Sequence, residues 1–186
     1  MPEGLLQPIG SSVFRSPVGG KFSRRPIAEL LEISINVMKL VRTNSEDADF
    51  RELVALLDAD LQMRDGAEHS FYAQFNKIDK IRCALVAYEN EKAVGCGAFR
   101  EYSAGAAEIK RMFVRLENRG RGIAGEILNE LETWAKELNF SEFVLETGVK
   151  QPEAIRLYQK SGYETIPNYG QYLNVENSVC MKKFGK

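Results

Sequence analysis

Alternation and helical spacing divide the chain beyond Met38 into a regular succession of elements. "MKLVRT" reads as a first strand, and "DADFRELVALLDADLQM" sets Phe50, Leu53, Val54, Leu57 and Leu61 on one helical face. "EHSFYAQFNKI" has the spacing of a second short helix. Two β-rich runs, "IRCALVAYEN" and "KAVGCGAFREY", meet at Asn90-Glu91, which predicts a hairpin. A third, "AAEIKRMFVR", leads into "RGRGIAG" and then a long amphipathic helix turning Ile127, Leu128, Leu131, Trp134, Ala135 and Leu138 toward a core. "SEFVLETGV" follows as a strand. "PEAIRLYQKSGY" is the next helix, with Pro152 suited to its first turn and Gly162 to its C-terminal cap, and "SVCMKKF" is a last strand. Strands gathered before the long helix, with β-α-β after it, predict a mixed sheet packed by helices.

The first 37 residues break this pattern. They are rich in Pro, Gly and Ser, with basic residues clustered between Arg15 and Arg25, and are expected to form a poorly ordered extension in front of a domain spanning 38–186. A short helix after Pro26 is compatible with Ile27, Leu30 and Leu31. One reading places the true start at Met38.

Composition narrows the function classes. A formal net charge of −1 in 186 residues, 27% of them charged, argues against general nucleic-acid binding. The chain contains neither an apolar run of roughly 20 residues nor a signal-like N-terminus, so the expectation is a cytoplasmic protein that does not enter membranes. Cys83, Cys96 and Cys180 are widely spaced, without a CxxC, and read as buried reduced thiols. His69 is the single histidine, and no metal site is expected.

The chemistry concentrates in Arg119-Gly120-Arg121-Gly122-Ile123-Ala124-Gly125. Glycines at a helix mouth can expose successive amides to a phosphate, and two arginines add charge. A tight strand-to-helix turn with solvated arginines accounts for the same residues. There is no GxxxxGK[ST]. The bare spelling G-x-G-x-x-G is present, but an antiparallel hairpin precedes it rather than the opening strand of a dinucleotide-binding unit.

Two stretches together resemble one family. Arg119 to Ala124 is similar to the R/Q-x-x-G-x-G/A signature of the GNAT superfamily, the acyl-CoA-dependent N-acetyltransferases. "AIRLYQKSGYE" (154–164) resembles that family's A-x-x-L-Y-x-K-x-G-F/Y helix and strand start. The resemblance covers about residues 38–186. It implies an α+β fold with a mostly antiparallel central sheet flanked by helices, in which the fourth strand splays from the fifth at a bulge. It further implies acetyl-CoA as co-substrate, with pantetheine contacts from the backbone of Met112, Phe113 and Val114 and pyrophosphate contacts from Arg119, Gly120, Arg121, Gly122, Ile123, Ala124 and Gly125. Gln151 stands where the family often has an asparagine on the pantetheine arm.

The implied activity is direct acetyl transfer to a primary amine in a ternary complex, making the chain an acyltransferase. Glu108, in an Ala-Glu-Ile run the family shares, is the implied base, and Tyr158 the group that donates to the departing sulfur. An exposed strand glutamate and a packed helix aromatic are the plainer readings of these two residues. Arg64, His69, Tyr72, Tyr169 and Tyr172 are candidates to line the side that takes a small-molecule or peptide amine, with a homodimer left open. A non-catalytic acyl-CoA-binding module is the alternative function.

Overall fold

The computed structural model describes residues 38–66, 74, 77–79 and 81–185. Seven strands form one sheet: β1 (Met38–Thr43), β2 (Cys83–Glu89), β3 (Lys92–Ser103), β4 (Ala106–Val114), β5 (Glu142–Gly148), β6 (Glu164–Ile166) and β7 (Ser178–Phe184). Their order is β1-β2-β3-β4-β5-β7-β6, antiparallel throughout except for the parallel pair β4–β5. Among the described residues three α-helices accompany them: α1 (Ala48–Asp65), α2 (Ile123–Glu137) and α3 (Pro152–Lys160). The expected mixed sheet with helices is therefore the fold, and the single parallel pair arises because α2 carries the chain between β4 and β5.

Local chemistry sets the element ends. The Asp47 carboxylate caps α1 by accepting the Phe50 N–H at 2.8 Å. Asn90 and Glu91 both take positive φ, 48° and 63°, the two-residue geometry whose twist matches a hairpin. Pro152 opens α3, where a missing N–H is harmless, and Gly162 just after it has φ 88°.

The sheet buries both faces. On one, Leu85, Phe99, Ile109 and Leu145 pack against Ile127, Leu128 and Leu131 of α2 and Tyr158 of α3. On the other, Val86, Cys96, Ala98 and Phe113 pack against Phe50, Leu53, Val54 and Leu57 of α1. Each such large side chain, fully withdrawn from water, contributes roughly 2 kcal/mol. Cys96 and Cys180 are buried, Cys83 is half-buried, and none is in a disulfide. Leu138, expected in the core, is 48% exposed because α2 ends at Glu137 and Leu138 is its C-cap. Trp134 is partly buried, edge-on to Phe99, with the Arg42 guanidinium over its other side. The N-terminal extension, its short helix, and His69 and Tyr72 of the second expected helix lie outside the described residues.

One irregularity shapes the functional region. Cys96 pairs with Phe113 and Ala98 with Lys110, so Gly97 alone faces both Arg111 and Met112. This is a bulge in β4, and Arg111 takes φ 58° to make it. A Cβ on Gly97 would stand 2.6 Å from Met112 Sδ and 2.8 Å from Ile127 and Leu131, so a larger residue opposite the bulge would force these side chains to shift. The extra residue shifts the alternation: Lys110 and Arg111 both address the α1 side, and Met112 turns to the α2 side.

Candidate functional site

β4 and β5 pair only at Ala106–Glu142, Ala107–Phe143 and Glu108–Val144. Beyond that point β5 continues to Gly148 with β7, and β4 continues to Val114 with β3. Their facing edges part and open a cleft of about 380 Å³, lined by Ile109 to Val114 on one wall and Glu146 to Gln151 on the other. Strand edges of this kind carry backbone N–H and C=O groups that need partners, so the walls suit an extended, amide-bearing ligand.

The glycine-rich loop closes one end. Asn118, Arg119, Gly120, Gly122, Ile123, Ala124 and Gly125 all line it. Gly120 and Gly122 have φ 78° and 85°, and Gly122 is the N-cap of α2. No atom lies within 4 Å of where a Cβ would project at Gly120, Gly122 or Gly125, so the loop presents bare backbone to open space. With the first-turn amides of a 15-residue helix behind it, the loop has the geometry that suits a phosphate or other anion.

Both arginines are held by carboxylates. Arg119 donates Nε to Val114 O at 2.9 Å, places Nη2 3.1 Å from Asp60, and lies over the Phe113 ring. Arg121 forks onto Glu89 at 2.7 and 2.6 Å and is absent from the cleft wall. Asp60 also takes Arg64 Nε at 3.2 Å, while Arg64 reaches Glu153 at 2.5 Å and the Lys150 carbonyl at 3.3 Å. Burial acts to raise the Asp60 carboxyl, but the Arg64 and Arg119 guanidiniums hold it below its ordinary value. The chain of charges Arg119–Asp60–Arg64–Glu153 links the glycine loop, α1 and the start of α3.

The other end of the cleft carries Glu146, Tyr158, Tyr172 and Lys110. Glu146 lines it from β5 and accepts the Ser178 hydroxyl at 2.6 Å. Tyr158 lines it from α3, 6% exposed, and burial together with the Glu146 charge holds its phenol well above the ordinary value. Tyr172, from a short helical turn before β7, is 2% exposed, and its hydroxyl accepts Lys110 Nζ at 3.3 Å. Burial lowers the Lys110 ammonium, opposed by the Glu108 charge.

The structure brings Met112, Phe113, Val114, Arg119, Gly120, Gly122, Ile123, Ala124, Gly125, Gln151 and Tyr158 to one cleft, and leaves Arg121 and Glu108 off its walls. Glu108 is 1% exposed, with both Nε and Nη2 of Arg100 on its Oε2 at 2.7 and 2.6 Å. Among the acceptor-side candidates Tyr172 lines the cleft. Arg64 is used in the charge chain, and Tyr169 stacks edge-on between Tyr102 and Tyr172. Lys110 and Glu146 were not singled out from sequence. Strand alternation from Val144 in "SEFVLETGV" was the available signal for Glu146. Among the described residues no group of three or more His, Cys, Asp or Glu is placed to hold a metal, and no described helix is long and apolar enough to cross a membrane.

Comparison with known proteins agrees with this geometry. An IAA acetyltransferase of Azospirillum brasilense is 38% identical over 100 residues, covering 53% of this chain and 65% of that protein. The chain spans between 58% and 66% of the length of the first three curated relatives it matches. A Klebsiella pneumoniae protein assigned as an acyl-CoA N-acyltransferase superposes with a TM-score of 0.68 at 29% identity, covering 80% of this chain and 98% of that one. A GNAT family acetyltransferase from Elizabethkingia anophelis with acetyl-CoA bound shares the fold, with a TM-score of 0.59 at 16% identity over 79% of this chain and 97% of that one. Residues 50–163 match the sequence profile of the Acetyltransferase (GNAT) family, and the chain belongs to that family.

Proposed function

We propose that this chain transfers an acetyl group from acetyl-CoA to a primary amine by direct attack within a ternary complex. The observation that carries the reading is the parting of β4 from β5 beyond Glu108–Val144, in the stretch that holds the Arg111 bulge, with a bare glycine loop at one end and Glu146, Tyr158 and Tyr172 at the other. The fold neighbour from Elizabethkingia anophelis that holds acetyl-CoA supports the choice of co-substrate.

The residues fit that molecule part by part. The backbone of Gly120 and of Gly122 to Gly125 suits the pyrophosphate, where a Cβ would otherwise intrude. The open edge of β4 at Met112, Phe113 and Val114 suits the amide-bearing pantetheine arm, and Gln151 lies on the opposite wall. When bound, acetyl-CoA supplies the thioester carbonyl that the amine attacks.

A primary amine of pKa about 10.4 must lose a proton before it attacks at neutral pH. Glu146 is our assignment for the group that takes it, directly or through water, because it is the carboxylate on the wall beside Tyr158 and Tyr172. Glu108 lies behind Lys110 and Arg100 and is assigned to holding them. A backbone amide at the bulge, of Phe113 or Val114, is our assignment for the donor that stabilises negative charge on the carbonyl oxygen. Tyr158 stays protonated because its phenol is held high, so it donates a hydrogen bond to the sulfur rather than surrendering its proton outright. Calorimetric titration with acetyl-CoA, followed by thiol release with a panel of amines, tests the reading. Absence of binding would remove its foundation.

A further inference from the structure

The β4 side of the cleft carries more positive than negative charge. Both Arg100 contacts fall on Oε2 of Glu108, and Lys110 Nζ is 3.5 Å from Oε1, an oxygen with no hydrogen-bond partner. Two cations thus share one carboxylate. The next cation along the strand, Arg111, is met by Asp58 at 2.5 Å. Of the two cations on Glu108, Lys110 is the one that lines the cleft, with its side chain 9% exposed, and besides Glu108 the Glu146 charge on the facing strand acts to hold it charged. An ammonium offers three N–H donors, and the hydrogen bond here is a long one, 3.3 Å to Tyr172. A nearly buried cation of this kind is stabilised by a further anionic partner.

Glu146 stands on the facing strand. Glu108 pairs with Val144, and Lys110 and Glu146 each follow two residues later, so alternation puts both on the same face of the sheet across the parting. One wall offers a cation and the other a carboxylate. Resting on the acetyl-transfer reading, we propose that the acceptor is a small amine bearing its own carboxylate, with an α-amino acid as the simplest case. Its carboxylate pairs with Lys110, and its amino group lies toward Glu146. A polyamine or plain alkylamine brings Lys110 no anion in addition to those the protein supplies, and a polyamine adds positive charge beside it.

The test uses matched pairs at fixed pH and saturating acetyl-CoA, phenylalanine with phenethylamine and leucine with isopentylamine. Wild-type kcat/KM is expected to favour the amino acid roughly 10- to 100-fold, the scale of a charge-assisted hydrogen bond. In Lys110→Met that ratio falls toward one, and Lys110→Arg restores part of it. Wild-type preference for the decarboxylated amines overturns the proposal, as does a ratio that persists in Lys110→Met. A second measurement needs no variant: hydrocinnamate is expected to compete with phenylalanine at least tenfold more strongly than its neutral amide, and equal inhibition overturns the proposal. If acetyl-CoA binds but no amine in either set is acetylated, the transfer reading itself falls and takes this inference with it.

Discussion

Arg119 Nη2 lies 3.1 Å from the Asp60 carboxylate, which joins the glycine-rich loop to α1. Arg119 is therefore a brace: it also grips the Val114 carbonyl at the end of β4. Asp60 passes the link on to Arg64, and Arg64 to Glu153 at the start of α3. Arg119 thus ties down the loop whose backbone is proposed to take the pyrophosphate.

The brace has a pH signature. The folded-state Asp60 carboxyl is held below its ordinary value near 3.8, so its contribution is present above that pH and is lost as pH falls through the folded-state value. Asp60→Asn should destabilise the protein by about 1 kcal/mol at pH 7. Urea unfolding at several pH values should show the gap between wild type and variant closing below pH 3.8; a gap of constant size would contradict the ion-pair account.

Gly122→Ala probes the cradle itself. The left-handed backbone at φ 85° makes any Cβ strained, worth about 1 kcal/mol of stability, and no atom lies within 4 Å to clash with it. The stronger effect should be on ligand binding, because the methyl group stands in open space on the loop proposed to take the pyrophosphate. Calorimetry should show acetyl-CoA affinity at least tenfold weaker than wild type. Unchanged affinity would separate this loop from the co-substrate.

Much of the framework was legible along the chain because it follows from local chemistry. The Asn90-Glu91 hairpin, the buried stripe of α2 and the glycine-capped α3 each declare themselves by spacing and turn residues. The bulge at Arg111 does not, since nothing in "EIKRMFV" requires positive φ there; Gly97, fourteen positions earlier and on the neighbouring strand, makes room for it. The ion pairs of Arg119 and Arg121 were hidden for the same reason, as their carboxylates come from α1 and β2. Arg100 beside Glu108 could have been found by folding the β3–β4 hairpin about Gly105, which has φ 77°. The pairing of Glu146 with the opposite wall depends on β5 joining β4 only after α2, a tertiary fact.

Tyr158→Phe removes one oxygen from a buried ring that otherwise packs edge-on to Tyr163. Acetyl-CoA affinity should remain near wild type, and kcat should fall roughly 10- to 100-fold. Because burial and Glu146 raise the phenol above its ordinary value of 10, Tyr158 stays protonated up to and beyond that pH. The wild-type kcat profile should therefore show no alkaline loss from this group below pH 10, and a loss absent from the phenylalanine variant would contradict the assignment.

Glu146→Gln and Glu108→Gln separate the two carboxylates. The glutamine at 146 keeps an oxygen for Ser178 but cannot accept the amine's proton, so kcat/KM for the amine should drop by about 10² or more. The glutamine at 108 leaves Arg100 and Lys110 without their shared anion. Its effect should be chiefly on stability, about 2 kcal/mol given that Arg100 is partly exposed to water. The decisive measurement is kcat/KM for acetyl transfer per mole of folded protein in these two variants. The account predicts a loss of 10² or more at Glu146 and activity within tenfold of wild type at Glu108; near-wild-type turnover in Glu146→Gln with collapse in Glu108→Gln would contradict it.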